Sequence, residues 1–229
     1  MIPKNLFPMR INRYLALEGV AARRHADDLI KAGRVFINGK KAVLGDKINE
    51  KDQVTVEKSG EKFTYFLYNK PKGTTTEEAT QKVDGARNLF PVGRLDKESE
   101  GLILLTDDGR VVTRLLEPEK HEEKEYLVTL REKPRPGLIA IFKKGMLVDK
   151  FQLLPAKAEF VDDYTVRVTL VEGKKHQLRR MFDALHYTTE KLIRVRIGTL
   201  KLGTLKSGAS RRLQGTELDN FLSSISLSR

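Results

Sequence analysis

Few residue types in this chain can do chemistry. The 229 residues include no cysteine, which excludes thiol nucleophiles, thiolate metal sites and disulfides. The four histidines, His25, His121, His176 and His186, are scattered and do not stand at metal-ligand spacing. The glycines form neither type of phosphate-cradling nucleotide loop. No metal and no cofactor are therefore expected. What remains are carboxylates, tyrosines and many cations. The carboxylate of interest is Asp96, in the string Gly93-Arg94-Leu95-Asp96, in a loop before the apolar run Gly101 to Thr106. By spacing alone, a surface ion pair is the better reading of an Arg-x-Asp of this kind.

Charge narrows the class of partner. The formal net charge is +12, which points to a polyanion, most often nucleic acid. The charge is unevenly spread: +5 over residues 1–50, −1 over 51–163 and +9 over 164–215. Two basic blocks around a neutral middle suggest a clamp on a phosphate backbone. Met1-Ile2-Pro3-Lys4 does not lead into a signal-type apolar run, and no stretch is long enough to span a membrane, so a cytoplasmic protein is expected.

The elements that must position these residues follow from periodicity. Ile11, Tyr14 and Leu15 mark a short helix, broken at Gly19. A second helix runs from about Ala22 to Ala32 and stops at Gly33. Val35-Phe36-Ile37, the Asn38-Gly39 turn and Lys41-Ala42-Val43 form a hairpin, closed by Val54-Thr55-Val56. Glu57 to Glu61 reads as a linker. Beyond it, strands are predicted at Phe63 to Tyr68, Gly101 to Thr106, Tyr126 to Leu130, Tyr164 to Val171, Leu192 to Leu200 and Lys201 to Leu205. Helices are predicted at Val111 to Leu116 and His176 to Leu185, and Thr74 to Asn88 reads as a loop. Strands and helices do not alternate regularly, so the fold class is α+β rather than a doubly wound sheet. Two domains are expected, 9–57 and 62–229.

The full string from Phe90 to Gly109, including Gly-Arg-Leu-Asp-Lys-Glu-Ser-Glu-Gly-Leu-Ile-Leu-Leu-Thr-Asp-Asp-Gly, resembles the catalytic motif of bacterial pseudouridine synthases of the RsuA type. The front block, with Arg23-Arg24-His25-Ala26-Asp27 and Gly33 to Lys40, resembles an S4 RNA-binding domain. The resemblance implies a small S4 domain followed by a catalytic domain with a mixed, mainly antiparallel sheet flanked by helices. It implies that Asp96 is the indispensable carboxylate. His121 to Val128 looks like the family's Lys-x-Tyr segment, which assigns Tyr126 to pack on the target base. Gly173 to Met181 is similar to the third motif, whose basic residue pairs with the catalytic Asp; Arg179 is assigned, with Arg180 as the rival and a helix-surface phosphate contact as the other reading of Arg179. Lys191 to Ile197 resembles the last motif, which places Leu192 against the uracil. Arg94 would fill the gap left by the flipped base. Lys174, Lys175 and Arg180, and in the front block Arg10, Arg13, Arg23, Arg24, Lys31, Arg34, Lys40 and Lys41, are expected to bind RNA.

The implied function is isomerisation of a specific uridine in ribosomal RNA, or in a ribosomal assembly intermediate, by a monomer. Phe36 to Lys40, Val43 to Asp46 and His121 to Val128 look most like the RluF branch, which implies the large-subunit 23S rRNA; a small-subunit 16S target is the alternative. The rivals from other classes are a non-catalytic RNA-binding assembly factor, against which Asp96 and Tyr126 argue, and a DNA-binding protein.

Overall fold

The computed structural model describes residues 2–18, 20–21, 23–57, 63–86, 89–116 and 122–228, with side chains described except at 23–25 and 116. The expected linker at 57–61 lies outside this set apart from Glu57.

The N-terminal unit is β1 (Met9–Arg10), α1 (Ile11–Leu17), α2 (Arg23–Lys31), β2 (Val35–Ile37), β3 (Lys40–Lys41), β4 (Lys47–Ile48) and β5 (Val54–Val56). Ile11 and Leu15, one helical turn apart, meet Ala26, Leu29 and Ile30 of α2 and Val35 and Ile48 of the strands in one apolar core. Asn12 Nδ2 donates to Asp27 Oδ1 at 2.8 Å and ties α1 to α2. Asn38 and Gly39 both have positive φ, 49° and 77°, the geometry of a two-residue hairpin turn. The Asn38 amide reinforces it, donating to Asp52 and accepting from the Gln53 N–H. Two features differ from the expectation. The second hairpin strand stops at Lys41, and the S4-like unit carries an additional two-stranded pairing, β1 with β4, so it is more than two helices and a hairpin.

The larger unit contains β6 (Tyr65–Lys70), α3 (Thr76–Thr80), β7 (Phe90–Val92), β8 (Glu100–Thr106), α4 (Gly109–Leu116), β9 (Lys124–Leu130), α5 (Leu138–Lys144), β10 (Met146–Val148), β11 (Phe151–Leu153), β12 (Lys157–Phe160), β13 (Thr165–Leu170), α6 (Gln177–Asp183), β14 (Thr189–Ile197), β15 (Leu200–Lys201), β16 (Ser210–Arg212) and α7 (Gly215–Ser224). Its central sheet has the order β12-β13-β9-β14-β8-β6-β16, with β15 on β14 and β7 on β8. All of these pairs are antiparallel except β8 with β14. The class is α+β.

The apolar run of β8 is explained by burial on both faces. Ile103 and Leu105 join the core formed with α3, α5 and α6, whereas Leu102 and Leu104 join the one formed with α4 and α7. The parallel pairing of β8 with β14 sets Glu100 opposite Ile193 and Gly101 opposite Arg194. Gly101 has φ +110°, and a Cβ there would lie 2.3 Å from the Arg194 carbonyl oxygen. Only glycine permits this close approach.

Several elements depart from the sequence reading. The segment Thr74 to Asn88, expected as a loop, contains α3, because Thr75 and Glu78 form a capping box: the Glu78 N–H donates to Thr75 Oγ1 and the Thr75 N–H to the Glu78 carboxylate. Helices α5 and α7 and the β10–β11 hairpin were not expected. An Asp108 cluster closes the far end of β8. The fully buried Asp108 carboxylate accepts from Tyr65 Oη at 2.7 Å and from Arg110 Nε and Nη2 at 2.9 and 2.8 Å. Burial beside that carboxylate pushes the Tyr65 hydroxyl far above the usual phenol range.

Candidate active site

Asp96 sits in the loop between β7 and β8, and every flank of that loop is tied down. Gly93 turns the chain at φ +77°. Leu95 is held at both backbone atoms by the buried Thr76 hydroxyl of α3, which accepts from its N–H and donates to its carbonyl, each at 3.0 Å. The Asp96 carbonyl accepts from the Ser99 N–H. The Lys97 carbonyl accepts from the Gly73 N–H at 2.9 Å and from Lys70 Nζ at 3.4 Å. The Glu98 carbonyl accepts from Arg179 Nη2 at 2.8 Å. With so many backbone groups satisfied by fixed partners, the carboxylate is aimed by the scaffold.

Lys70, at the end of β6, has no exposed surface. Its ammonium also donates to the carbonyls of Pro71 and Thr74, at 2.9 and 2.7 Å. Burial pushes its pKa down, and Glu100, Glu98 and Asp96 oppose that. The sequence reading missed this residue; an uncompensated lysine closing the alternating strand Tyr65 to Lys70, ahead of Pro71-Lys72-Gly73, is the signal it carried.

Asp96 opens into a cleft of about 970 Å³, a size suited to a small-molecule-like group such as one nucleotide. Tyr126 on β9 and Leu192 on β14 line the same cleft and are both buried. They reach it because β9 and β14 are neighbours, with Leu192 opposite Val128 and Arg194 opposite Tyr126, and alternate residues of a strand share a face. Arg94, Lys97, Lys174 and Lys175 also line it and give it basic character.

Arg94 is open to solvent: its side chain is 79% exposed, and its contact with Glu77 is long, at 3.8 Å. Lys174 donates to the Gln152 carbonyl and sits by Glu172 and the Phe151 ring. Two arginines expected near the carboxylate are engaged elsewhere. Arg179 Nη1 donates to the Thr189 carbonyl at 3.2 Å, so this guanidinium bridges β14 and the Asp96 loop. Arg180 Nε donates to Asp149 at 2.7 Å, and its guanidinium lies over the Phe151 ring. Among the described residues, the charge contact of Asp96 is with His176, whose Nε2 lies 3.2 Å from Oδ1, an ion pair when the imidazole is protonated.

Arg194 was also missed. It lines the cleft yet is 3% exposed; its Nε donates to the Leu102 carbonyl and its buried Nη2 has no hydrogen-bond partner. Its signal was its place two residues after Leu192, on the same inward face of β14. Its neighbour Lys124 is pushed down by burial first and by the Arg194 charge second, and donates to the Glu122 carbonyl.

In the N-terminal unit, Arg10, Arg13, Lys31, Lys40 and Lys41 are exposed. Arg34 is half-buried and donates to the Glu57 carbonyl. The side chains of Arg23 and Arg24, and His121, lie outside the described residues. Among the described residues, no helix is long and apolar enough to cross a membrane, and no cluster of three or more acidic or histidine side chains is arranged to hold a metal.

A basic helix-and-hairpin unit joined to a sheet domain whose cleft holds a carboxylate fits an enzyme that acts on a polyanion such as RNA. The family comparison agrees: the RNA pseudouridylate synthase model matches residues 64–184 and the S4 domain model matches residues 9–54. The chain belongs to the RNA pseudouridylate synthase family, of the RsuA type with an S4 domain, and is an isomerase acting on RNA. It is 34% identical over 223 residues to the dual-specificity RNA pseudouridine synthase RluF of Escherichia coli strain K12, covering 92% of this chain and 77% of that one. It is 32% identical to the ribosomal large subunit pseudouridine synthase B of Bacillus subtilis strain 168, covering 91% and 93%. A crystal structure of a pseudouridylate synthase superposes with a TM-score of 0.68 at 35% identity, covering 90% of this chain and 96% of that one.

Proposed function

We propose that this enzyme converts one uridine of the large-subunit 23S rRNA to pseudouridine, with Asp96 as its catalytic carboxylate. The observation that carries the assignment of roles is the convergence of Asp96, Tyr126 and Leu192 on one cleft. The large-subunit target is supported by the likeness to the RluF branch and to the Bacillus subtilis large-subunit enzyme. The domain limits proposed are 9–57 for the RNA-binding unit and 62–229 for the catalytic one.

A uracil inside a stacked helix is out of reach of a cleft carboxylate, so the nucleotide must flip out, at a cost of roughly a few kcal/mol. The exposed Arg94 fills the vacated space, where a planar guanidinium can stack and also bond phosphate. The extruded uracil enters between the Tyr126 ring and the Leu192 side chain. The bond from ribose C1′ to N1 breaks, the base turns, and a bond from C1′ to C5 forms; C5 gives up its proton and N1 gains one. Asp96 can act by attacking the sugar carbon, by attacking the base carbon, or by taking a sugar proton. Each route uses one ionised carboxylate held in place. Arg179 contributes as a positioning residue, through the Glu98 carbonyl. The exposed cations of the S4 unit hold the RNA through its backbone, which is how structured RNA is chiefly recognised.

The test is pseudouridine mapping of rRNA from cells lacking the protein, with rescue by the wild type or by Asp96→Ala. Loss of one 23S site, restored by the wild type alone, is the expected result. Loss of a 16S site instead would move the target to the small subunit, and loss of none would remove rRNA as the substrate.

A further inference from the structure

His176 is not an assigned residue of the reaction, yet of the basic side chains in its segment it is the one that forms an ion pair with Asp96 in the structure. Its backbone explains why. His176 has φ 52° and ψ 26°, a left-handed conformation at the start of α6. A non-glycine side chain in this region is uncommon and is held there by its surroundings. The next residue, Gln177, is buried and pinned: it donates to Glu172 at 2.7 Å and accepts from the Lys174 N–H at 3.0 Å. The kink turns the imidazole toward the Asp96 loop. Arg179 and Arg180, three and four positions on, point to the Glu98 carbonyl and to Asp149.

We infer that His176 is the positioning residue that holds and charge-balances the Asp96 carboxylate, making catalysis depend on the protonation of an imidazole. This inference rests on the role of Asp96 proposed above. An arginine in that place would stay charged at every working pH. Histidine is the side chain type whose charge changes between about pH 5 and 8. In the free protein both partners are partly open to water, with side-chain exposures of 49% for His176 and 35% for Asp96. RNA closing over the cleft excludes that water and strengthens the pairing. An imidazole that has lost its proton no longer offers Asp96 a positive charge at 3.2 Å, and the rate falls.

The other charged or titratable groups lining the cleft are Glu77, Arg94 and Lys97 on the Asp96 side, Glu122, Lys124 and Tyr126 from β9 and its approach, Glu172, Lys174 and Lys175 on the His176 loop, and Arg194 on β14. All are of types that ordinarily titrate outside that interval. Two lysines that burial pushes down are the competitors for an alkaline loss of rate: Lys124 and Lys70, whose ammonium lies behind the Asp96 loop and feels the Asp96 charge.

The experiment uses the full chain and ribosomal subunits prepared from cells lacking it, with single-turnover pseudouridine formation followed from about pH 5.5 to about pH 8.5. The wild type is expected to lose rate on the alkaline side, and His176→Arg to keep its rate there. His176→Asn, whose short amide tolerates the left-handed backbone, is expected to be about ten- to a hundredfold slower, with no alkaline fall and with RNA affinity unchanged. An alkaline fall that persists in His176→Arg assigns it to a lysine, Lys124 or Lys70, and overturns the inference, as does a His176→Asn variant with the wild-type rate and profile. A wild type that binds the subunits yet forms no pseudouridine defeats the proposed reaction itself, a result distinct from either.

Discussion

Lys70→Met tests whether the Asp96 loop is held by a buried ammonium. The side chain keeps its length and apolar stem but loses three hydrogen bonds, to the carbonyls of Thr74 at 2.7 Å, Pro71 at 2.9 Å and Lys97 at 3.4 Å. A hydrogen bond to a charged group contributes about 1.5–3 kcal/mol net. The 3.4 Å contact belongs at or below the bottom of that range, and the Lys97 carbonyl keeps its bond from the Gly73 N–H. The two short bonds therefore dominate, at about 3–6 kcal/mol together. Against this, methionine removes a buried charge whose depressed pKa shows that burial disfavours it. The sign follows: with the folded pKa below the unfolded one, the ammonium form costs stability below the folded pKa, and that cost fades as pH rises through the window between the two values. A net loss of about 2–4 kcal/mol at neutral pH is expected, read as a lower urea midpoint with an unchanged slope. The folded fraction should also turn over more slowly, because the Lys97 carbonyl adjoins Asp96. A variant within about 0.5 kcal/mol of the wild type, with normal turnover, would refute the reasoning.

Two further outcomes follow from other parts of the fold. Asp108→Asn keeps the shape of the buried cluster but leaves Arg110 without its carboxylate; a loss of about 3–5 kcal/mol is expected in denaturant unfolding, and a change under 1 kcal/mol would contradict the cluster's role. Charge reversal at the exposed Lys40 and Lys41 should weaken RNA binding and make the slope of log affinity against log salt shallower by roughly 0.7–0.9 per lost phosphate contact; an unaltered slope would take the hairpin out of the interface.

The legible part of the molecule was the part governed by local rules. Asn38-Gly39 announces its turn because both residues accept positive φ, and the run Leu102 to Leu105 announces a strand buried on both faces. Helix α3 was illegible by periodicity, since at five residues it is too short to show an apolar stripe, although the Thr75-to-Glu78 spacing encoded its cap. The elements α5, β10 and β11 are each short, and the β10–β11 turn is made by Asp149 and Lys150 at positive φ, with no glycine to announce it. The string around Asp96 gave the family, and Asp96, Tyr126 and Leu192 do line one cleft. Which basic side chain faces Asp96 could not be read from spacing. His176, Arg179 and Arg180 lie within about one helical turn, and the left-handed backbone at His176 decides which one points inward. Lys70 and Arg194 were hidden for a related reason: their importance lies in which carbonyls they reach, and neither the fold-back of Pro71 to Thr74 onto Lys70 nor the approach of Leu102 to Arg194 shows in spacing.

The most direct test of the account compares wild type with Asp96→Asn on the same ribosomal subunits, measuring pseudouridine formation and RNA affinity together. The substitution keeps the side chain's size and removes its charge. The account predicts that isomerisation is abolished while affinity, which comes mainly from phosphate contacts, stays close to that of the wild type. Retained turnover in Asp96→Asn would contradict the assignment of the catalytic carboxylate.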